Sequence, residues 1–553
     1  MRACNVRKFV RVINFLLAGV TVFCVSWIAS VNEWHTGVRW SGRRVDGGGG
    51  VSTMKTIVAY SEGKQAEMDR PSPVTCDRLP AFPDIPYINR TWSRNVDSDS
   101  TWQRVADTRV SVYAAYYDDR TPQQYVRMLA TFTGRNFTKE EPLFCQTRLL
   151  NSYDDSVEVV VAKPLEIWWH EWDLNSLEVE TPLLLSCPLT EPLKHPSIIS
   201  IVTQPCDDPT NAFILEPQIK KKYERNFTVC VKDMNFDRDI AQNLVEWIET
   251  NKILGVEMID LYIDKLTKES ENILIHYRDH GNVRLYNVPI KYKPDRSLWQ
   301  RRRDHIITYN DCLYRNIRES EFVIPLDIDE ILLPKISNTL YELIQRLSHV
   351  GWDPTQDSAI LVRNVFFFGF MQGLDKYEHK KLETKNKIYV KRDDVRIKIT
   401  ENLDIGEIEL VESNNSNRNE VIDFRVVDSD LYELYKLRCK REMVTPKLMQ
   451  HIISSLMVSP IGYYSKSLML TRKVLTAFNH YPLANIGTSG FAGWYAPFNE
   501  VQLNHYKESC NTTVMPECAR YGRRARVDRA ALRLRRRITS ALAAAICTRI
   551  NYT

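Results

Sequence analysis

Asp327-Ile328-Asp329-Glu330 follows directly on the apolar run Phe322-Val323-Ile324-Pro325-Leu326. A buried strand that ends in paired carboxylates holds two acidic groups rigidly at a sheet edge. Such like charges are costly unless something positive sits between them, and a divalent cation is the usual answer. Hard oxygen ligands favour Mg²⁺ or Mn²⁺, ions normally shared with phosphates. The chemistry indicated is a metal–diphosphate site of the kind that holds a nucleotide-sugar. Asp-x-Asp alone is cheap in a charged chain, and it recurs at Asp97/Asp99, Asp237/Asp239 and Asp428/Asp430. Those copies lie among polar or turn residues and read as solvated surface. Only the copy at Asp327 also precedes a second apolar run, Ile331-Leu332-Leu333, closed by Pro334.

The elements that must position this pair can be read upstream of it. Residues 227–231 read as a strand, and Ile240, Leu244, Trp247 and Ile248 then recur at helical spacing up to Gly255. A strand over 258–263, a helix over 269–280 closed by Gly281, a strand over 283–288 and a helix over 305–318 lead into the strand over 322–326. This alternation predicts a Rossmann-like, mostly parallel α/β sheet with flanking helices, whose ligands bind at the carboxyl ends of the strands. Asp327 and Asp329 fall at such an end. Pro325 is awkward in a central strand, because it offers no N–H to a neighbour. Residues 101–220 carry short strand-like runs (110–117, 157–161, 183–186) with few helical patterns, and predict a small β-rich domain ahead of the α/β domain of 221–520.

At 553 residues the chain has room for two or three domains, and its net charge of +5 is too small to suggest nucleic acid. Val12 to Val31 is a run of 20 residues without a charge, preceded by Arg2, Arg7, Lys8 and Arg11. About 20 residues cross a bilayer, and the positive flank belongs in the cytoplasm. The expectation is a single-pass type II anchor with a cytoplasmic tail over 1–11, a polar stem over 32–100 and the remainder in the Golgi lumen. Sequons at Asn89, Asn136, Asn226, Asn414, Asn511 and Asn551 all follow the anchor. Ten of the 12 cysteines would face an oxidising lumen, and Cys510 and Cys518 are near enough for a local bridge. Residues 521–553 form a basic tail in which Arg523 to Arg537 suggest a helix with a solvated face.

Ser186-Cys187-Pro188-Leu189, Phe227-Thr228-Val229-Cys230-Val231-Lys232 and Leu244-Val245-Glu246-Trp247-Ile248-Glu249 are followed by Leu254-Gly255 and Tyr309-Asn310-Asp311-Cys312-Leu313-Tyr314-Arg315. Next come Leu326-Asp327-Ile328-Asp329-Glu330, Lys466-Ser467-Leu468, His480 and Asn504-His505-Tyr506. In order and spacing these segments resemble glycosyltransferase family 92 over roughly residues 180 to 520. The resemblance implies a GT-A fold, a nucleotide-sugar donor, Mn²⁺ dependence and inversion at the anomeric carbon. It further implies transfer of galactose from UDP-galactose, in β1,4 linkage, onto fucose or galactose of a glycan.

Each residue then acquires an expected role. Asp329 is the better metal ligand, and Asp327 binds either the metal or the donor's hydroxyls. A histidine near the end of such a domain often completes the metal shell, for which His505 matches best and His480 second. Lys232 and Asp233 end the first strand, where a uracil or ribose would rest. Arg303 and Arg315 are candidates for phosphate, which guanidinium suits. Glu500 is the candidate general base that inversion needs. Two rival readings use the same residues differently. A haloacid-dehalogenase-like phosphatase would use Asp327 as nucleophile, but its motif normally opens the domain, whereas here three βα units precede it. A non-catalytic glycan-binding ectodomain would need neither the carboxylate pair nor His505. Oligomeric state, a homodimer included, is left open by the sequence.

Overall fold

The computed structural model describes residues 73–372 and 451–548, apart from short internal breaks, with a few isolated strands and one helical turn outside these ranges. The anchor span 12–31 and most of the stem lie outside the described residues. Among those described, no helix is long and apolar enough to cross a membrane.

The site-bearing domain is built on a seven-stranded sheet. In chain order its elements are β1 (Arg225–Asn235), α1 (Ala241–Ile253), β2 (Met258–Lys265), α2 (Lys268–Asp279), β3 (Val283–Asn287), α3 (Leu298–Asn316) and β4 (Ser320–Pro325). They continue with β5 (Glu330–Pro334), β6 (Ala359–Val362), β7 (Asn364–Phe368), β8 (Lys466–Leu470), β9 (Gly493–Tyr495), β10 (Val501–Lys507) and α4 (Arg535–Thr548). The sheet order is β3-β2-β1-β4-β8-β6-β9. The first four strands are parallel, as the βα alternation predicts, but β8 runs antiparallel to both β4 and β6. β9 is again parallel to β6, so only β8 is reversed and the sheet is mostly parallel, as expected. Both faces of its strands are buried, which is why they read as continuous apolar runs.

Local rules hold where they can be checked. Gly255, at φ +97°, ends α1 in a Schellman turn, with Val256 N–H on the Asn251 carbonyl and Gly255 N–H on that of Lys252, each at 3.0 Å. Pro325 sits in a central strand without penalty, because β8 pairs with β4 only opposite Phe322 and Val323. Pro325 is the last residue of β4, past that pairing, so its missing N–H is not needed there.

A second sheet of three strands, β5-β10-β7, stands beside the first. β10 is antiparallel to β5 and parallel to β7. Its register sets Glu330 opposite His505 and Pro334 opposite Val501.

Ahead of this domain lies a β-sandwich. One sheet contains Val110–Asp118, Tyr125–Thr133 and Glu180–Pro188, and the other Phe144–Arg148, Glu158–Val161 and Ile198–Val202, with all neighbours antiparallel. The two inner faces share one apolar core, and the Cys145–Cys187 disulfide joins the sheets. The outer face of the first sheet packs Tyr113, Tyr116, Leu129 and Leu184 against Ile306, Leu313 and Tyr314 of α3. Three further disulfides among the described residues are Cys76–Cys206, Cys230–Cys312 (β1 to α3) and the local Cys510–Cys518 bridge expected from the sequence.

Two segments at the edges of the domain contribute to its core. Trp92, in the stretch read as stem, joins the main core, and its N–H bonds the Leu285 carbonyl on edge strand β3 at 3.0 Å. In the basic tail, Ile538, Leu542 and Ala545 of α4 enter the same core. Arg537 donates to the Ile253 carbonyl at the end of α1 (2.7 Å), and Arg533 donates to backbone carbonyls over 334–337. Arg533, Arg536 and Arg537 remain exposed, so the helix keeps the solvated face expected of it while its other face is packed.

Candidate active site

Three strand ends meet at Asp327. The β1/β4 register, with Cys230 beside Pro325, carries Lys232 alongside Asp327 two residues later. The antiparallel β4/β8 register carries Lys466, the first residue of β8, to the same edge. Lys232 Nζ lies 3.1 Å from Asp327 Oδ1 and Lys466 Nζ 3.4 Å from Oδ2. Burial alone would raise the Asp327 pKa, but the two ammonium groups hold it well below the carboxylate range. Lys466 is only 1% exposed and also reaches Glu330 Oε2 at 3.2 Å and Asn479 Oδ1 at 3.2 Å. Burial opposes its charge, and Asp327 with Glu330 outweighs burial, so its pKa stands above the ordinary lysine value.

The Asp327–Glu330 segment is a tight turn. The Glu330 N–H bonds the Asp327 carbonyl at 3.0 Å, and the Glu330 carboxylate reaches back to the Asp327 N–H at 3.0 Å. Trp247 of α1 donates its indole N–H to the Glu330 carbonyl at 2.8 Å. This clamp, together with the Tyr506 N–H on the Asp329 carbonyl (2.8 Å), aims the Asp329 side chain outward. Asp329 is 40% exposed, whereas the Glu330 side chain is 3% exposed. Burial would also raise Asp329, and His505 with Lys507 holds it below the usual value.

His505 arrives from β10 by the register described above. Its Nε2 is 3.4 Å from Asp329 Oδ2 and its Nδ1 is 3.4 Å from Glu330 Oε1. Both ring nitrogens are buried and neither makes a hydrogen bond. An exposed carboxylate beside an imidazole nitrogen without a partner is an oxygen–nitrogen donor pair suited to Mn²⁺. Among the described residues no three His, Cys, Asp or Glu side chains form a ready-made metal cluster. Asp327 does not complete one, because its carboxylate faces two lysines.

Asp327 and Asp329 border a cavity of about 500 Å³. Its walls include Lys232, Asp233 and Phe236 from β1 and the turn after it, Trp247 from α1, and Lys507 from β10. Asp233 sits at its margin, 3.2 Å from His305 Nε2 and 3.3 Å from Arg301 on α3. Burial raises Asp233, and His305, Arg296 and Arg301 outweigh it.

The remaining expected residues lie elsewhere, for reasons the fold supplies. α3 turns Arg301, His305 and Tyr309 toward the site, and the opposite spacing, 303, 307, 311 and 315, toward the sandwich. Arg303 thus stacks over Trp168 (4.3 Å) and is fully buried. Arg315 pairs with Asp311 (2.7 Å) over the Tyr286 ring. Neither guanidinium faces the cavity. His480 has both nitrogens engaged, Nδ1–H on the Ser465 carbonyl (2.7 Å) and Nε2 on the Asn479 amide (3.1 Å). Burial, then Lys466, pushes it down to about 3, so it is a neutral wall residue away from the donor pair. Glu500 lies at the far end of β10 from His505 and is held by Arg346 through two contacts, 2.5 and 3.0 Å. It faces neither the cavity nor Asp329.

Lys466 and Lys507 are among the site residues given no role from the sequence alone, as are Arg301 and His305. The signal for Lys466 was a lone charge opening an otherwise buried strand, Lys466–Leu470.

A mixed α/β domain with an Asp-x-Asp turn at the carboxyl end of its fourth parallel strand fits a GT-A-like domain. The model of glycosyltransferase family 92 matches residues 225–533, more than half of the chain, and the protein belongs to that family. Among curated proteins it is similar to the beta-1,4-galactosyltransferase galt-1 of Caenorhabditis elegans, 25% identical over 264 residues. That match covers 45% of this chain and 56% of the relative, so the chain spans little more than half the length of the protein it resembles.

Proposed function

We propose that the protein is a Mn²⁺-dependent, inverting galactosyltransferase that uses UDP-galactose and forms a β1,4 linkage to a fucose or galactose residue of a glycan. The observation that carries the reading is the Asp329–His505 pair, set by strand register at the mouth of a cavity large enough for a nucleotide. The name of the nematode relative supports the choice of donor and linkage. Mn²⁺ or Mg²⁺ would be held by Asp329 and His505, with phosphate oxygens of the donor as further ligands, and would neutralise charge on the departing diphosphate. The chain's own groups do the rest. Lys232 and Lys466 keep Asp327 ionised and fixed where it can accept hydrogen bonds from donor hydroxyls. Phe236 and Trp247 give the cavity apolar walls that exclude water. The acceptor oxygen bonds to the anomeric carbon as the bond to the UDP oxygen breaks, and its proton leaves to a base. The four disulfides among the described residues suit the oxidising lumen of the Golgi, where a type II anchor over 12–31 would place this domain.

The test is UDP release by the full-length chain from a panel of UDP-sugars, with fucosylated and galactosylated acceptors, in Mn²⁺ or EDTA. Release from UDP-galactose that needs Mn²⁺ and disappears in Asp329→Ala is the expected result. Release from a different donor would replace galactose, and release unaffected by EDTA would remove the metal from the reading.

A further inference from the structure

We infer that the end of the second sheet farthest from the acidic turn carries a binding site for an oxyanion, a sulfate or phosphate group, which the transfer chemistry does not use. Lys335 follows β5 directly, Arg363 joins β6 to β7, and Arg526 lies in the strand Arg524–Val527. These segments bring their cations to one ring, Phe498, three residues before β10 begins. Lys335 Nζ stands 3.9 Å from the ring centroid, and the guanidinium carbons of Arg526 and Arg363 stand 4.9 and 5.4 Å from it. Strand register explains the meeting. Pro334 is opposite Val501 and Asn364 is opposite Leu503, so residues just after β5 and just before β7 and β10 emerge at the same end. His505 lies at the other end, about 13 Å along β10 at about 3.3 Å per residue.

An aromatic ring attracts a cation at each of its two faces, so of three cations at least two share a face and repel each other. Acidic side chains do not cancel that charge. Among the described residues Asp528 is the one carboxylate acting on the three cations. It lies 3.7 Å from Arg526 and is shared with the Gln502 amide at 2.8 Å and the Ala530 N–H at 3.0 Å. The Lys335 ammonium and the Arg363 guanidinium make no hydrogen bond or ion pair among the described residues. Arg526 Nε donates to Ser454 Oγ at 3.3 Å, while its Nη2 is buried and makes no hydrogen bond. All three side chains are partly buried. Burial lowers the pKa of each, and on Lys335 repulsion from Arg526 and Arg363 adds to burial against the pull of Asp528. Like charges crowded in a partly dry place are costly unless an opposite charge joins them. A sulfate or phosphate group supplies that charge, with oxygen acceptors for two guanidinium forks and an ammonium. The partly exposed Phe498 ring gives an attached sugar an apolar surface.

The test is calorimetric titration of the full-length chain, without nucleotide-sugar or metal, using inorganic sulfate, galactose 6-sulfate and galactose at constant ionic strength, paired with melting curves. Wild type is expected to bind both sulfated probes and not galactose. Lys335→Gln and Arg363→Gln should each weaken that binding about tenfold, as loss of one charge-assisted bond implies. Tighter binding of galactose 6-sulfate than of sulfate would name a sulfated glycan as the source, and equal binding the free ion. Without probe, both variants should melt at or above the wild-type temperature, because removing either cation relieves repulsion. A lower Tm in both, which packing of the cations on Phe498 alone predicts, would overturn the proposal. So would galactose matching its sulfate, no binding of either sulfated probe, or unchanged affinity in the two variants. Asp329→Ala should bind as wild type does, and binding lost there would place the anion at the acidic turn instead. None of these titrations involves sugar transfer, so the oxyanion site and the transferase reading fail separately.

Discussion

At the scale of residues, the acidic turn is stabilised by ammonium groups that come from distant parts of the chain. Lys466→Met would leave Asp327 and Glu330 without their shared buried partner, and breaking such a pair costs about 3–5 kcal/mol. Urea denaturation should show that loss, and adding Glu330→Gln should restore part of it. Asp329→Ala and His505→Ala should instead leave stability nearly unchanged and lower kcat/KM by about 100-fold or more, the several kcal/mol expected of a lost metal site. Glu500→Gln should do the reverse, lowering the melting temperature through Arg346 while turnover is kept. Asp327, Asp329 and His505 were legible because each sits in a local pattern of strand, turn and terminal histidine. Lys466 was not, because its contact with Asp327 spans 139 residues and exists only through the antiparallel β8 register. Glu500 misled for the converse reason. Near in sequence to His505, it lies about 16 Å away along an extended strand that rises about 3.3 Å per residue.

At the scale of elements, α3 decides which charges belong to the site. A helix with arginines all round does not declare which face meets another domain, so Arg303 and Arg315 could not be told from Arg301. Only the packed sandwich separates them. The site-facing side carries a pH-sensitive group. Burial, with Lys232 nearby, pushes His305 down to about 4, against its bond to Asp233. An unfolded histidine titrates near 6.5, so on acidification the unfolded chain takes up the proton first. The stability from neutral His305 is complete above about pH 6.5 and is lost as pH falls toward 4. Denaturation midpoints should decline across that window, and His305→Gln should flatten the decline. α4 supplies a second test. Leu542→Ala should cost about 2–5 kcal/mol, because the residue is buried on α1 in the main core.

At the scale of the molecule, the βα alternation foretold a mostly parallel sheet though not its one reversed strand, β8, and the strand-like runs foretold the sandwich. The second sheet escaped notice, since β5, β7 and β10 pair across long stretches of chain and none announces its partner. The family match ends at residue 533, yet the core continues into α4. Truncation after 534 should therefore lower the melting temperature by about 5–10 °C or more, measured by scanning calorimetry, as several lost kcal/mol imply. The same reasoning applies at the other end. Trp92 lies in the core, Asn287 N–H bonds the Arg90 carbonyl at 3.0 Å, Arg90 reaches Asp311 at 3.3 Å, and Cys76 is bridged to Cys206. A secreted version begun at residue 101, where the composition suggests the stem ends, would unpair Cys206 and bare the β3 edge to any passing strand. Such a product should elute as disulfide-linked aggregates. One begun just before Cys76 should run as a discrete species, which makes the choice of first residue the practical hinge of any attempt to purify this protein.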